Sequence, residues 1–212
     1  MLGTGPNMTV NRDAFASERR TPMKILRSAK YKRMPWKNGK GETVEIAVFP
    51  PGASVETFDW RISMAMVAED GPFSVFDGID RTLSILTGDG MELTVEGHAP
   101  VLLKQASQPY AFPGDARTTA TLTGGPISDL NVMTRRGRFT HRVRRVVSSG
   151  EMSVTPEADL TMVVVAKEAR LGDLALSPLD ALVLDKGEAP AVLHFETETT
   201  VFLIDITPAA SA

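Results

Sequence analysis

The sequence contains no cysteine. Disulfides, thiolate nucleophiles and thiolate metal sites are therefore excluded. Histidine is scarce: His98, His141 and His194 are the full set, and they are widely scattered. A transition-metal site needs several N, O or S ligands converging with fixed geometry, and no spacing here supplies them. Long hydrophobic runs are missing as well; Met162 to Ala166 is among the longest, far too short to cross a bilayer. The N-terminus lacks the apolar stretch of a secretory signal, so the expectation is a cytoplasmic protein with no membrane partner. Gly-x-Ser-x-Gly does not occur, and neither does Gly-x-Gly-x-x-Gly. The serine-hydrolase elbow and the phosphate-cradling loop are thus absent.

What remains has the balance of an ordinary globular chain. The 212 residues are 42% hydrophobic and 23% charged, with a net charge of −3 and a pI near 5.7. Nothing global points to nucleic acid or a membrane. The length suits one large β domain or two small fused barrels.

Residues 1–22 mix Gly, Pro, Asn, Arg and Ser without periodicity and read as a disordered leader. From Lys24 onward the texture is short β-prone runs separated by turn residues. Expected strands include 45–49, 58–67, 82–86, 91–95, 101–104, 117–122 and 130–134. Later ones are 144–147, 162–166, 181–184, 191–194 and 201–206. No stretch carries a sustained helical period. The expectation is all-β, a sandwich or barrel. One hairpin looks well specified: Asp89-Gly90 joins the alternating runs 83–88 and 91–95, a pattern that favours a two-residue primed turn. A seam is expected near Gly124-Gly125-Pro126 or Ser148-Ser149-Gly150.

The run Ile85-Leu86-Thr87-Gly88-Asp89-Gly90-Met91-Glu92-Leu93 resembles the glycine-bearing hairpin of cupins. Metal-binding cupins precede that glycine with two histidines and a glutamate. Anchored on Gly88, the resemblance puts Arg81 at the glutamate position. Ser74 or Val75 and Phe76 or Asp77 then fall at the histidine positions. Tyr110, in Gln108-Pro109-Tyr110, replaces the last histidine. The expectation is a pocket with no metal and no other cofactor.

Arg81 shares strand parity with Ile79, Leu83 and Ile85, so it sits on an apolar face. An unpaired buried charge is very costly. Two readings stand: a structural pair with Asp59, Asp80 or Glu45, or an open fork that grips an anion bidentately. Arg61 and Ser63 alternate against Trp60, Ile62 and Met64; they face either water or a barrel lumen. Asn131 shares parity with Met133 and Arg135, and either holds a ligand or satisfies a buried backbone group. Trp36-Lys37-Asn38-Gly39 is either a tight turn or a pocket wall. Residues 135–145 carry six arginines and His141. Such a run is usually a solvated face, and with Phe139 as its single aromatic neighbour no nucleic-acid partner is expected.

Five segments in order carry a stronger resemblance. They are Met34-Pro35-Trp36-Lys37-Asn38-Gly39-Lys40-Gly41-Glu42-Thr43, Phe58-Asp59-Trp60-Arg61-Ile62-Ser63-Met64-Ala65 and Gly71-Pro72-Phe73-Ser74. Phe76-Asp77-Gly78-Ile79-Asp80-Arg81-Thr82-Leu83 and Asp129-Leu130-Asn131-Val132-Met133-Thr134-Arg135-Arg136-Gly137 complete the set. Together they resemble the HutD/Ves family of cupin-like proteins, from about Lys24 to Ile206. Lys40 stands where that family commonly has Gly or Ala, and Val44 where it commonly has Arg. The resemblance implies a cupin fold, the double-stranded β-helix or jelly-roll barrel. It implies a bicupin over residues 23–212: two intimately packed β-barrels with strands exchanged between them. It also implies a small anionic metabolite as partner, with formylglutamate and urocanate as candidates, and a flux-limiting or regulatory role in bacterial histidine utilisation. Homodimerisation is an expectation that cupins carry in general. The pocket residues so expected are Trp36, Asn38, Arg61, Ser63, Arg81 and Asn131, as binding residues rather than catalytic ones. The alternative is a metal-independent cupin enzyme, an isomerase or hydrolase acting on a small carboxylic acid.

Overall fold

A computed structural model describes residues 23–36, 39 and 41–210. The expected leader, residues 1–22, lies outside the described residues. The strands in chain order are β1 (Lys24–Leu26), β2 (Lys32–Pro35), β3 (Gly41–Phe49), β4 (Trp60–Val67), β5 (Gly71–Pro72) and β6 (Ile79–Thr87). They continue with β7 (Met91–Val95), β8 (Val101–Leu103), β9 (Tyr110–Pro113), β10 (Thr118–Leu122) and β11 (Ile127–Arg135). The last are β12 (Phe139–Val154), β13 (Leu160–Val165), β14 (Ala169–Leu171), β15 (Leu174–Leu176), β16 (Ala181–Asp185) and β17 (Ala191–Pro208). Among the described residues the one helical element is a 3-10 turn, Ser28–Lys30. No described helix is long and apolar enough to cross a membrane.

Three sheets result. A six-stranded sheet runs β2-β3-β4-β11-β6-β9, and a four-stranded sheet runs β5-β10-β7-β8. A seven-stranded sheet runs β1-β16-β13-β17-β14-β15, with β12 on β17. The first described strand, β1, pairs with β16, Lys24 opposite Val183, and so joins the edge of the seven-stranded sheet.

Strand alternation explains where the cores sit, because successive side chains point to opposite faces. On β4, Ile62 and Met64 face the seven-stranded sheet, meeting Met162, Val164 and Ile204 in a middle core. Ala65 and Val67 face the other way, meeting Leu83, Met91 and Leu93 in a core between the six- and four-stranded sheets. On β13, Met162 and Val164 join the middle core while Val163 and Val165 turn to a third. Strands buried on both faces read as continuous apolar runs, which is the texture of Leu-Thr-Met-Val-Val-Val in β13. The third core is made wholly from residues of the seven-stranded sheet, among them Leu182, Leu193 and Phe195. A sheet that buries one face against itself has to curl. The β12–β17 ladder bends where its register shifts between Ser148 and Gly150. A bulge of this kind bends the strand and sharpens its twist.

The structure corrects three expectations. First, Asp89-Gly90 does not close a hairpin: β6 pairs with β9 and β11, whereas β7 pairs with β8 and β10. The chain instead turns a corner from one sheet to the other. The positive φ values fall at Gly88 (89°) and Gly90 (112°), not at Asp89. A Cβ at Gly90 would stand 2.2 Å from the Leu103 carbonyl oxygen, so the corner needs a residue without one. Local alternation cannot tell a hairpin from a corner, since both need two strands and a tight turn. Second, Ser148-Ser149-Gly150 is a bulge inside β12 rather than a break between units. Third, the runs at 191–194 and 201–206 belong to one long strand, β17.

Candidate functional site

Strands β4, β11 and β6 lie side by side, and their register sets three cross-strand rows. Arg61 lies opposite Met133, which lies opposite Arg81. Ser63, Asn131 and Leu83 form the second row, and Ala65, Asp129 and Ile85 the third. Directly opposed residues project to one face of the sheet. Leu83 and Ile85 belong to the core between the two N-terminal sheets, so this face is the inward one. Arg61, Ser63, Arg81, Asp129 and Asn131 therefore line a single cavity of about 370 Å³, with Trp36, Phe73 and Phe76 among its walls. A wider cleft of about 900 Å³ shares Trp36, Arg61, Ser74 and Phe76 with it.

The polar groups of the floor form a chain with a defined direction. The Arg81 Nε donates to Asn131 Oδ1 at 2.7 Å, and Nη2 donates to the same oxygen. A guanidinium offers donors only, so Asn131 must turn its oxygen toward it. That leaves the Asn131 Nδ2 to donate to Asp129 Oδ1. Asp129 Oδ2 is buried without a hydrogen-bond partner. The Arg81 guanidinium also lies over the Phe73 ring, 4.6 Å from its centroid, and 5.5 Å from that of Phe112. Cation–π contacts of this kind contribute roughly 0.5–2 kcal/mol.

Burial acts on both charges. It lowers the Arg81 pKa to about 10, with Asp129 opposing the shift, so Arg81 remains a cation at neutral pH. It raises the Asp129 carboxyl to about 7, with Arg81 opposing. Arg61 differs from Arg81 in being held by an acid: its Nε donates to Glu45 Oε2 at 2.9 Å. Neither Arg81 Nη1 nor the Arg61 terminal nitrogens bond a described residue. Two guanidinium edges are thus left for a ligand. The arrangement can orient a small carboxylate by charge-assisted hydrogen bonds, with aromatic walls excluding water.

Five of the six residues expected from sequence meet here; Asn38 lies outside the described residues, as does Lys40. The structural pairs expected for Arg81 are not made. Glu45 bonds Arg61, Asp59 bonds Arg138, and Asp80 bonds Arg136. Parity told which face Arg81 occupies but not which acid the register delivers. Asn131 uses both ends of its amide on Arg81 and Asp129, so it orders the floor rather than reaching for a ligand. Trp36 is both wall and packing: its Nε1 donates to Thr43 Oγ1 at 2.9 Å, and its ring borders the N-terminal core. Val44, where the family commonly has Arg, faces the middle core and not the cavity. Phe112, rather than Tyr110, stands opposite Arg81. Sequence reasoning missed Asp129. Its signal was present, because Asp129 shares parity with Asn131 and Met133 on β11.

The arginine run is largely engaged within the chain. Arg135 donates to the Phe58 carbonyl, Arg136 pairs with Asp80 and Asp115, and Arg138 pairs with Asp59. Arg144 pairs with Asp205, and Arg145 donates to Thr200. His141 bridges Thr82 and Thr134 at 2.8 and 2.7 Å. Burial depresses its pKa to about 4, so it is neutral at physiological pH. Among the described residues no group of three or more His, Asp or Glu side chains converges as a metal site would require.

A family model described as HutD matches residues 28–203. An uncharacterised 21.2 kDa protein in the hutC 3' region of Pseudomonas putida is 40% identical over 124 residues, 58% of this chain and 63% of that protein. Protein Ves of Citrobacter koseri is 43% identical over 118 residues, 53% of this chain and 60% of that protein. The matched part therefore spans less than two thirds of these curated relatives. HutD from Pseudomonas fluorescens SBW25, solved in a formate condition, superposes with a TM-score of 0.76 at 32% identity. That match covers 89% of this chain and 100% of that one. The bacterial pirin YhhW from Escherichia coli, in complex with nickel(II), superposes with a TM-score of 0.62 at 11% identity over 89% of this chain and 100% of that one. At that identity the likeness concerns the fold alone, which is all-β and of the cupin type.

Proposed function

We propose that this chain, which belongs to the HutD family, binds a small carboxylate metabolite in the cavity of its N-terminal half. One observation carries the reading. Arg81 is a half-buried cation on the cavity floor whose nearest hydrogen-bond partner is a neutral amide, Asn131, with one guanidinium nitrogen left unbonded. Evolved sites rarely hold an arginine this way without an anion to meet it, because the desolvation cost stays only partly offset. Arg61 would supply the second edge, Ser63 a hydroxyl, and Trp36 and Phe73 the walls. A relative encoded in the hutC 3' region supports a role in histidine utilisation. In this reading the protein holds a pathway acid in the cytoplasm and so limits flux. Formylglutamate and urocanate are the first acids to try.

The test is a thermal-shift screen of small carboxylates, histidine-pathway acids included. A ligand at a hundred times its dissociation constant adds about 2.7 kcal/mol to native stability and raises the melting temperature. No response from any acid, with the protein folded, or a coordinated cation found deep in the cavity, overturns the reading. A second reading is favoured by Asp129, since an acid titrating near neutrality beside a ligand pocket is suited to proton transfer. NMR of the bound acid over hours separates the two: turnover makes the protein an enzyme, and an unchanged ligand leaves it a binder.

A further inference from the structure

The Arg81–Asn131–Asp129 chain has a consequence for how the cavity takes an anion. Asp129 lies at its inner end, 0% exposed. Its Oδ1 accepts from Asn131 Nδ2. Its Oδ2 has no partner. The charged groups around it can be named strand by strand. Strand β6 brings Arg81, and β4 brings Arg61. Strand β3 contributes Glu45, which is bonded to Arg61. The four-stranded sheet and the loop that follows β5 bring Pro72, Phe73, Ser74 and Phe76, none of them charged. Arg81 is therefore the cation that favours ionised Asp129, by direct charge attraction, with the Asn131 amide hydrogen-bonded to both.

An anion seated on Arg81 competes for that same positive charge. It also adds a like charge within the cavity, and two nearby anions in a dry site cannot both be well stabilised. We propose that Asp129 is a proton-linked positioning residue, and that an anion bound on Arg81 and Arg61 draws a proton from solvent onto the unpartnered Asp129 oxygen. This inference rests on the anion-pocket reading above and deepens it: the site takes an anion together with a proton. The Asp129 carboxyl titrates near 7 in the free protein, so the coupling falls in the physiological range. The sign follows from linkage. The complex holds more protons than the free protein, so affinity for an anion of fixed charge falls as pH rises. The limit is about tenfold per pH unit for one proton.

The experiment uses the full chain with formate and glutarate as probes, both ionised across the range from about pH 6.5 to about pH 8.5. Calorimetric titrations are run in two buffers of different ionisation enthalpy. Wild type should weaken with rising pH and show uptake of up to one proton. Asp129→Asn keeps the hydrogen-bonding shape and lacks the titrating group, so its affinity should be flat with pH and its enthalpy independent of buffer. A purely structural Asp129 would change stability and leave the pH profile as in wild type. Wild-type binding without proton uptake, or the same uptake in Asp129→Asn, overturns the inference and leaves the anion pocket standing. If Asp129→Asn does not fold, the wild-type buffer dependence decides alone. If neither probe nor any histidine-pathway acid binds wild type, the pocket reading falls and this inference with it.

Discussion

Two interiors flank the middle core of this molecule, and the same strand alternation fills them differently. Inside the seven-stranded sheet, Val163, Leu182, Leu184, Leu193, Phe195 and Leu203 turn inward. Each of these six side chains is at most 6% exposed. The interior between the six- and four-stranded sheets begins the same way with Leu83, Ile85, Met91 and Leu93. It then changes character along strands β4, β6 and β11, where Arg61, Arg81, Asp129 and Asn131 replace aliphatic side chains. One interior closes into a packed core and the other stays open as a cavity. Alternation decides which side chains face inward, and the chemistry of a few inward positions decides whether the space is filled or kept for a ligand.

Three substitutions sharpen that contrast, and the first is the largest in stability. Phe195→Ala empties a position that is 1% exposed in the apolar interior. It should lower unfolding stability by about 3–5 kcal/mol in chemical denaturation. Carboxylate affinity of the folded protein should stay at the wild-type value. A matching loss of affinity would show that the two interiors are coupled and break the comparison.

Arg81→Met should do the reverse. Loss of a charge-assisted hydrogen bond costs about 1.5–3 kcal/mol of binding, roughly a tenfold to hundredfold weaker dissociation constant by calorimetry. The melting temperature should move by only a few degrees, because the thioether fills the space and removes a half-buried cation. A large loss of stability with binding intact would make Arg81 a core residue like Phe195. Ser63→Ala is the mildest. Ser63 is 3% exposed and lines the cavity, and no described side chain or backbone group bonds its hydroxyl. Removing its hydroxyl should weaken carboxylate binding by a few-fold, in line with about 0.5–1.5 kcal/mol for a neutral hydrogen bond. Unchanged affinity would place the bound acid nearer Arg81 and away from β4.

Much of the fold was legible because strands buried on one or both faces leave a period in the chain. Met91–Val95 was expected as it stands, and Trp60–Val67 differs from its expected start by two residues. The corner at Gly88-Asp89-Gly90 was not legible, since strand partners are chosen by sheets that close far along the chain. In the site, parity put Arg61 with Ser63 on one face of β4 and Arg81 with Leu83 on one face of β6; that those faces are one inward face came from the register. Their partners did not follow from parity. Glu45 reaches Arg61 across a register shift between Glu45 and Ala47 in β3, a feature with no local signature. The arginine run reads in composition as a solvated face, whereas its individual partners, such as Asp115 for Arg136, lie far away in sequence.

By itself the sequence determined that this chain is all-β, cysteine-free and of one recognisable family. It also determined which residues alternate to the inward side of each strand, since that depends on backbone geometry and hydrophobic burial alone. Only the tertiary structure decided that Arg81 meets an amide instead of an acid, and that Asp129 stands behind that amide with a bare oxygen. Those facts depend on strand register, and register is set by the packing of three whole sheets at once.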